Sequence, residues 1–210
     1  MKRRRIKKSI LVVIFLIVLA VFAGIYFGLI KKKKPEPVAT EIEVVDTIDN
    51  FDYTLNDNET EYYNQVFGEL KDLLGQDEYE NKDYAVLVGK LFLIDFYDLN
   101  SKVMKSDIGG TQFVYAPYRE DFEKGAADSV YDNVESNVYG DRKQSLPVVK
   151  AVENTNLELK LFEYNGDIDY DAYYLNMSIT YETDLGYPTN VLLVLIHNGD
   201  KLEIAKMETL

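Results

Sequence analysis

The sequence predicts an α+β domain behind a single membrane anchor, and three observations carry that reading. Residues 1–34 join a basic start to a long uncharged apolar run. From about residue 58 to residue 139 apolar side chains recur at helical spacing. After Gly140 they alternate with polar ones, with turn signals between the runs. The expected chain is one N-terminal transmembrane helix, then three helices packed on a curved antiparallel sheet of about four strands.

From Ile10 to Ile30 no charge interrupts 21 residues. At a rise of about 1.5 Å per residue such a helix reaches about 30 Å, the thickness of a bilayer's hydrocarbon core. Val21-Phe22-Ala23 offers a signal-peptide cleavage site as the competing reading, but the apolar run continues past it to Ile30. Six basic side chains (Lys2, Arg3, Arg4, Arg5, Lys7 and Lys8) precede the run and Lys31 to Lys34 follow it, which favours a cytoplasmic amino terminus. The predicted division is a cytoplasmic tail at 1–8, a membrane helix at 9–30, a juxtamembrane linker at 31–50 and an extracellular domain at 51–210. Residues 9–30 make the lipid bilayer the first partner.

Charge and composition narrow the rest. Residues 35–210 hold 13 basic side chains against 36 acidic ones, a net charge of −23 that repels nucleic acid and anionic lipid. No cysteine is present, so there is no disulfide, no thiolate nucleophile and no thiolate metal site. The domain must depend on packing alone.

Residues 41–48 read as a strand or an ordered linker. Asn58 and Glu61 have capping spacing ahead of Tyr63, Val66, Phe67, Leu70, Leu73 and Leu74, with Gly75 placed to end that first helix. A second helix is predicted from about Lys82 to Leu99; its apolar arc is wide, which suits the centre of the domain. Asp107 to Gly110 breaks the pattern. A third helix follows Pro117, with Phe122, Ala126, Val130 and Val134 four apart, and stops before Gly140. Alternation then marks strands through Leu157–Leu161, Tyr173–Tyr181 and Leu202–Ile204, and the continuous apolar run Val191–Ile196 reads as a central strand. Asn198-Gly199 signals a tight hairpin, and Asn165-Gly166 begins a longer acidic turn.

This order of elements over residues 55–210 resembles the nuclear-transport-factor-two-like (cystatin-like) fold, which implies a cone-shaped sheet. Placed after a membrane anchor, it looks like the bitopic assembly subunit of type IV secretion and conjugation systems. The segment Val138-Tyr139-Gly140-Asp141-Arg142-Lys143-Gln144 is similar to uncharacterised single-pass proteins of Gram-positive bacteria.

Asp95 stands out because Leu91 and Leu99, four residues to either side, put it on an apolar helix face. A lone buried carboxylate is costly, so a partner is expected, and Arg119 and Arg142 are the domain's two arginines. The other reading is a general acid or base in a pocket, as the fold resemblance implies for ketosteroid isomerases. Asp167, Asp169 and Asp171 alternate as a calcium loop begins, but Ala172 and Ser178 stand where that loop needs glycine and glutamate. A solvated acidic turn is the plainer expectation. His197 is the one histidine, too few for a histidine metal cluster. Gly109-Gly110 reads as a turn. The 17 tyrosines read mainly as core. With no nucleophile elbow and no phosphate loop, the expectation is a non-enzymatic interaction subunit of an envelope complex, without cofactor, working with other envelope proteins. A ligand or cell-wall binding module, or a pocket enzyme using Asp95, is the alternative.

Overall fold

A computed structural model describes residues 42–210. The expected cytoplasmic tail and membrane helix lie outside the described residues. Among the described residues no helix is long and apolar enough to cross a membrane.

The chain enters through a small hairpin, β1 (Val44–Ile48) with β2 (Tyr53–Asn56). Residues 44–48, expected as strand or linker, are therefore strand. Helix α1 (Glu61–Leu74) follows, and Thr60 rather than Asn58 caps it, its hydroxyl accepting from the Tyr63 N–H at 3.2 Å. Gly75 ends it as expected. Helix α2 (Asn81–Tyr97) is apolar nearly all round and buries ten residues, Tyr84 and Phe92 among them, as a central helix must.

Helix α3 (Arg119–Ala127) is shorter than expected. The predicted continuation through Val130 and Val134 is irregular chain, because Tyr131 turns inward. Its hydroxyl donates to the Phe96 carbonyl at 2.7 Å and accepts from the Gly109 N–H at 3.1 Å.

Four antiparallel strands complete the domain: β3 (Val149–Tyr164), β4 (Asp167–Tyr181), β5 (Asn190–Asn198) and β6 (Lys201–Thr209), ordered β3-β4-β5-β6. Asn165-Gly166 is not the start of a longer turn. Both residues have positive φ (46° and 87°) and join Tyr164 directly to Asp167, the signature of a tight hairpin. On the far edge of the sheet, Val114 bridges Ile204 and the Tyr115 N–H donates to the Ile204 carbonyl at 2.9 Å, so β6 is partly covered.

The α+β class, the three helices and the four strands are as expected, but the curved, cone-like sheet is not. The sheet is an uncurved open meander. Helix α2 lies directly against it: a Cβ on Gly89 would come within 3.0 Å of Leu175 and 3.3 Å of Leu193. Core side chains, including Phe67, Phe92, Leu175 and Leu195, occupy the space that a cone would enclose.

Candidate functional site

Asp95 is where the helical pattern put it, on α2, and it has a partner other than the expected ones. One carboxylate oxygen meets the Lys102 ammonium and the other accepts from the Gly110 N–H at 2.6 Å. The two side chains keep only 11% and 8% of their exposure. Neither arginine takes part. Arg142 instead holds the loop around Lys102 together, donating to the carbonyls of Lys102 (2.8 Å), Asn100 (2.7 Å) and Glu135 (3.3 Å). Arg119 donates to the Val114 carbonyl.

Gly109-Gly110 does more than turn the chain. A Cβ on Gly109 would fall 2.1 Å from the Asp95 carbonyl oxygen, and one on Gly110 (φ +76°) would fall 2.7 Å from the Phe92 ring. Only glycine lets this segment press on α2 closely enough for its N–H to reach Asp95.

Asp95 borders a cavity of about 260 Å³ shared with Glu59, Lys102, Asp107 and Gln112. Burial disfavours the charged Lys102, but the Asp95 carboxylate, together with Tyr131 and Glu59 nearby, outweighs it and raises the ammonium above its ordinary value. Glu59 is pushed up to about 7, first by burial and then by the nearby Asp95 charge. Gln112 closes one wall by mimicking a strand: it accepts from the Thr54 N–H (2.9 Å) and donates to the Thr54 carbonyl (3.0 Å) and the Tyr63 hydroxyl (2.9 Å). With one bond made to each oxygen of Asp95, the arrangement is that of a buried ion pair anchored by a backbone N–H.

The three alternating aspartates lie along β4 and not in a loop. The structure does not gather them: among the described residues no group of three His, Cys, Asp or Glu side chains is placed to hold a metal ion. It does bring Asp169 to His197, 28 positions away. The Asp169 carboxylate accepts from the His197 N–H at 2.8 Å and meets its Nδ1 at 2.9 Å. Burial works to raise Asp169, but these bonds prevail and hold its carboxyl below the ordinary value.

Beside that pair the β3–β4 hairpin overhangs the core. Leu157 and Leu159 share one face of β3, where the register sets Leu157 against buried Leu175 and Leu159 against buried Tyr173, and Leu161 follows at a bulge. The core-facing side of the sheet thus runs out past α2, which begins at Asn81. Leu159, Leu161, Ile168 and Tyr170 remain 45%, 47%, 45% and 69% exposed. A groove of about 670 Å³ opens there between Leu159, Ile168, Tyr170 and Tyr173, with Asp169, Asp171 and His197 along its wall. The opposite face of the overhang is covered, since Phe162, Tyr164 and Tyr174 pack with Tyr115 over Ala172, Val194 and Ile196.

Several residues had no sequence signal. Lys102 stands seven positions after Asp95 with nothing to mark it as a partner. Asp98 is buried, accepting from the N–H groups of Ser101 (3.3 Å) and Val149 (3.1 Å), and so ties the end of α2 to the start of β3. No protein-family model, curated protein or solved structure matches the chain.

Proposed function

We infer that this chain is a membrane-anchored interaction subunit of an envelope complex, its acidic domain outside the cytoplasm, performing no chemistry of its own. The apolar run at 10–30 and the charge bias across it support the anchor. The observation that carries the interaction reading is the overhang: four large apolar side chains on one strand pair, exposed where no helix among the described residues covers them. A clustered apolar surface of this kind marks a contact site, whereas singly scattered apolar residues need no explanation. The pocket enzyme is the weaker reading, because Asp95 is already bonded through both oxygens.

Photo-crosslinking residues placed one at a time at Leu161, at Tyr170 and at Lys124 on helix α3, which does not line the groove, test this in cells. A discrete adduct to another protein is expected from the first two positions and not from Lys124, and Ile168→Ser should abolish it. Adducts from all three positions alike, or from none, would remove the basis for the reading.

A further inference from the structure

We propose that the groove on the β3–β4 overhang is the docking site of a cationic–apolar polypeptide segment of a partner protein. The proposal deepens the interaction reading and rests on it.

Two properties of one surface define the occupant. Leu159, Ile168 and Tyr170 supply exposed apolar area that only another apolar surface can remove from water. At the groove wall stand Asp171 and Asp169, the latter bonded to His197, and the hairpin between residues 158 and 171 also carries Glu158, Glu163 and Asp167 against the single base Lys160, which is paired with Glu158. Asp171 is exposed at the groove wall, and no ion pair occupies it among the described residues. An apolar floor under an acidic rim takes alternating apolar and basic side chains, with the cations steering the encounter and fixing the register.

Charge disposes of the other occupants. Nucleic acid and anionic lipid are repelled by the same carboxylates. A second copy would bring another domain of net charge −23 and the same acidic rim against this one. A basic partner gains from the field that these would have to overcome.

The test uses the full chain in nanodiscs of zwitterionic lipid, titrated with a short synthetic peptide alternating lysine with valine and with its glutamate–valine counterpart. The lysine peptide should bind, more weakly as salt rises, and the glutamate peptide should not. Asp171→Lys and Ile168→Ser should each weaken binding by at least roughly tenfold, with melting curves matching that of the unaltered chain. Equal binding of both peptides, or binding indifferent to both substitutions, overturns the proposal. If Lys31 to Lys34 changed to glutamine raises the peptide's affinity, the chain's own lysines occupy the groove and the partner proposal fails. Sedimentation showing a dimer that Ile168→Ser dissociates would assign the groove to a second copy, with the same consequence. The crosslinking result separates the two levels: adducts from Leu161 without peptide binding leave an interaction surface whose partner is not cationic, and loss of both removes the reading as well.

Discussion

Asp95 and Lys102 are worth more as a pair than either is alone. Asp95→Ala strands a buried ammonium, and chemical denaturation should show a loss of about 3–5 kcal/mol. Asp95→Asn keeps a hydrogen-bonding group for the Gly110 N–H and should lose less. Combining Asp95→Asn with Lys102→Met removes the unpaired charge and should recover part of that loss, an outcome a catalytic Asp95 does not predict. Glu59 gives a second test, in pH. Its folded-state value of about 7 lies above the ordinary 4.5, so the folded protein holds this proton more tightly than the unfolded chain does. Stability from Glu59 is therefore full below about pH 4.5 and is lost as pH rises toward 7 and beyond. Glu59→Gln should flatten that slope and stabilise the protein at pH 8, by on the order of 1–2 kcal/mol after allowing for solvent at this half-buried site. A variant with the slope of the parent would place the titration elsewhere. That Asp95 needs a partner was legible from helical spacing. That the partner is Lys102 was not, because it lies beyond the end of α2, past the turn at Leu99–Ser101, where helical spacing no longer says which side chains meet.

The elements that the sequence displayed best are those whose burial is one-sided or complete. Helix α1 and strand β4 carry periodicity over many residues and β5 a continuous apolar run, and tertiary packing agrees with both. Helix α3 was over-extended because Val130 and Val134 keep a spacing of four even though the chain there follows Tyr131 into the core. In β3, Leu159 and Leu161 show the alternation of a core strand, yet among the described residues nothing covers them; a two-residue period reports which face a side chain is on and says nothing of what lies opposite. In the β1–β2 hairpin only the first strand showed in the sequence, as strand or linker, and the four-residue β2 did not; the hairpin is held by a closed ring of hydrogen bonds. The Leu202 N–H donates to the Tyr84 hydroxyl (3.0 Å), that hydroxyl lies 2.8 Å from the Tyr53 hydroxyl, and Tyr53 donates to the Leu202 carbonyl (2.9 Å). Tyr84→Phe opens this ring and leaves a buried N–H unpaired, which should cost about 1–3 kcal/mol. Amide exchange should quicken first at Tyr53 to Asn56, with β4 and β5 still protected. Uniform acceleration across the domain would mean that the ring does not hold the hairpin locally.

At the scale of the whole molecule, sheet shape was the least legible feature. Strand count and order follow from alternation and turns, whereas curvature depends on how closely α2 sits, which here is set by Gly89 against Leu175 and Leu193. The proposed placement of the domain outside the cytoplasm rests on charge bias, and protease added to intact protoplasts should remove it; full protection would reverse the orientation. Residues 39–210 form a compact unit with one dominant apolar core and no cysteine. Produced alone, that segment should melt cooperatively and unchanged by reductant or chelator, since neither a disulfide nor a metal is needed to close its core. A large drop in melting temperature with chelator would give Asp167, Asp169 and Asp171 a calcium role after all. The same segment carries nearly the whole acidic excess, and crowding carboxylates of one sign on a folded surface costs free energy that unfolding relieves. Salt screens this repulsion over a Debye length of about 10 Å at 0.1 M and about 3 Å at 1 M. The melting temperature should therefore climb as sodium chloride is raised from low concentration and level off once screening is complete. The Asp95–Lys102 pair is buried and is little affected by salt, so it should not reverse the trend. A melting temperature that falls with added salt would mean that attractive surface pairs outweigh the net charge, and that the acidic field invoked for docking is weaker than the formal charge implies.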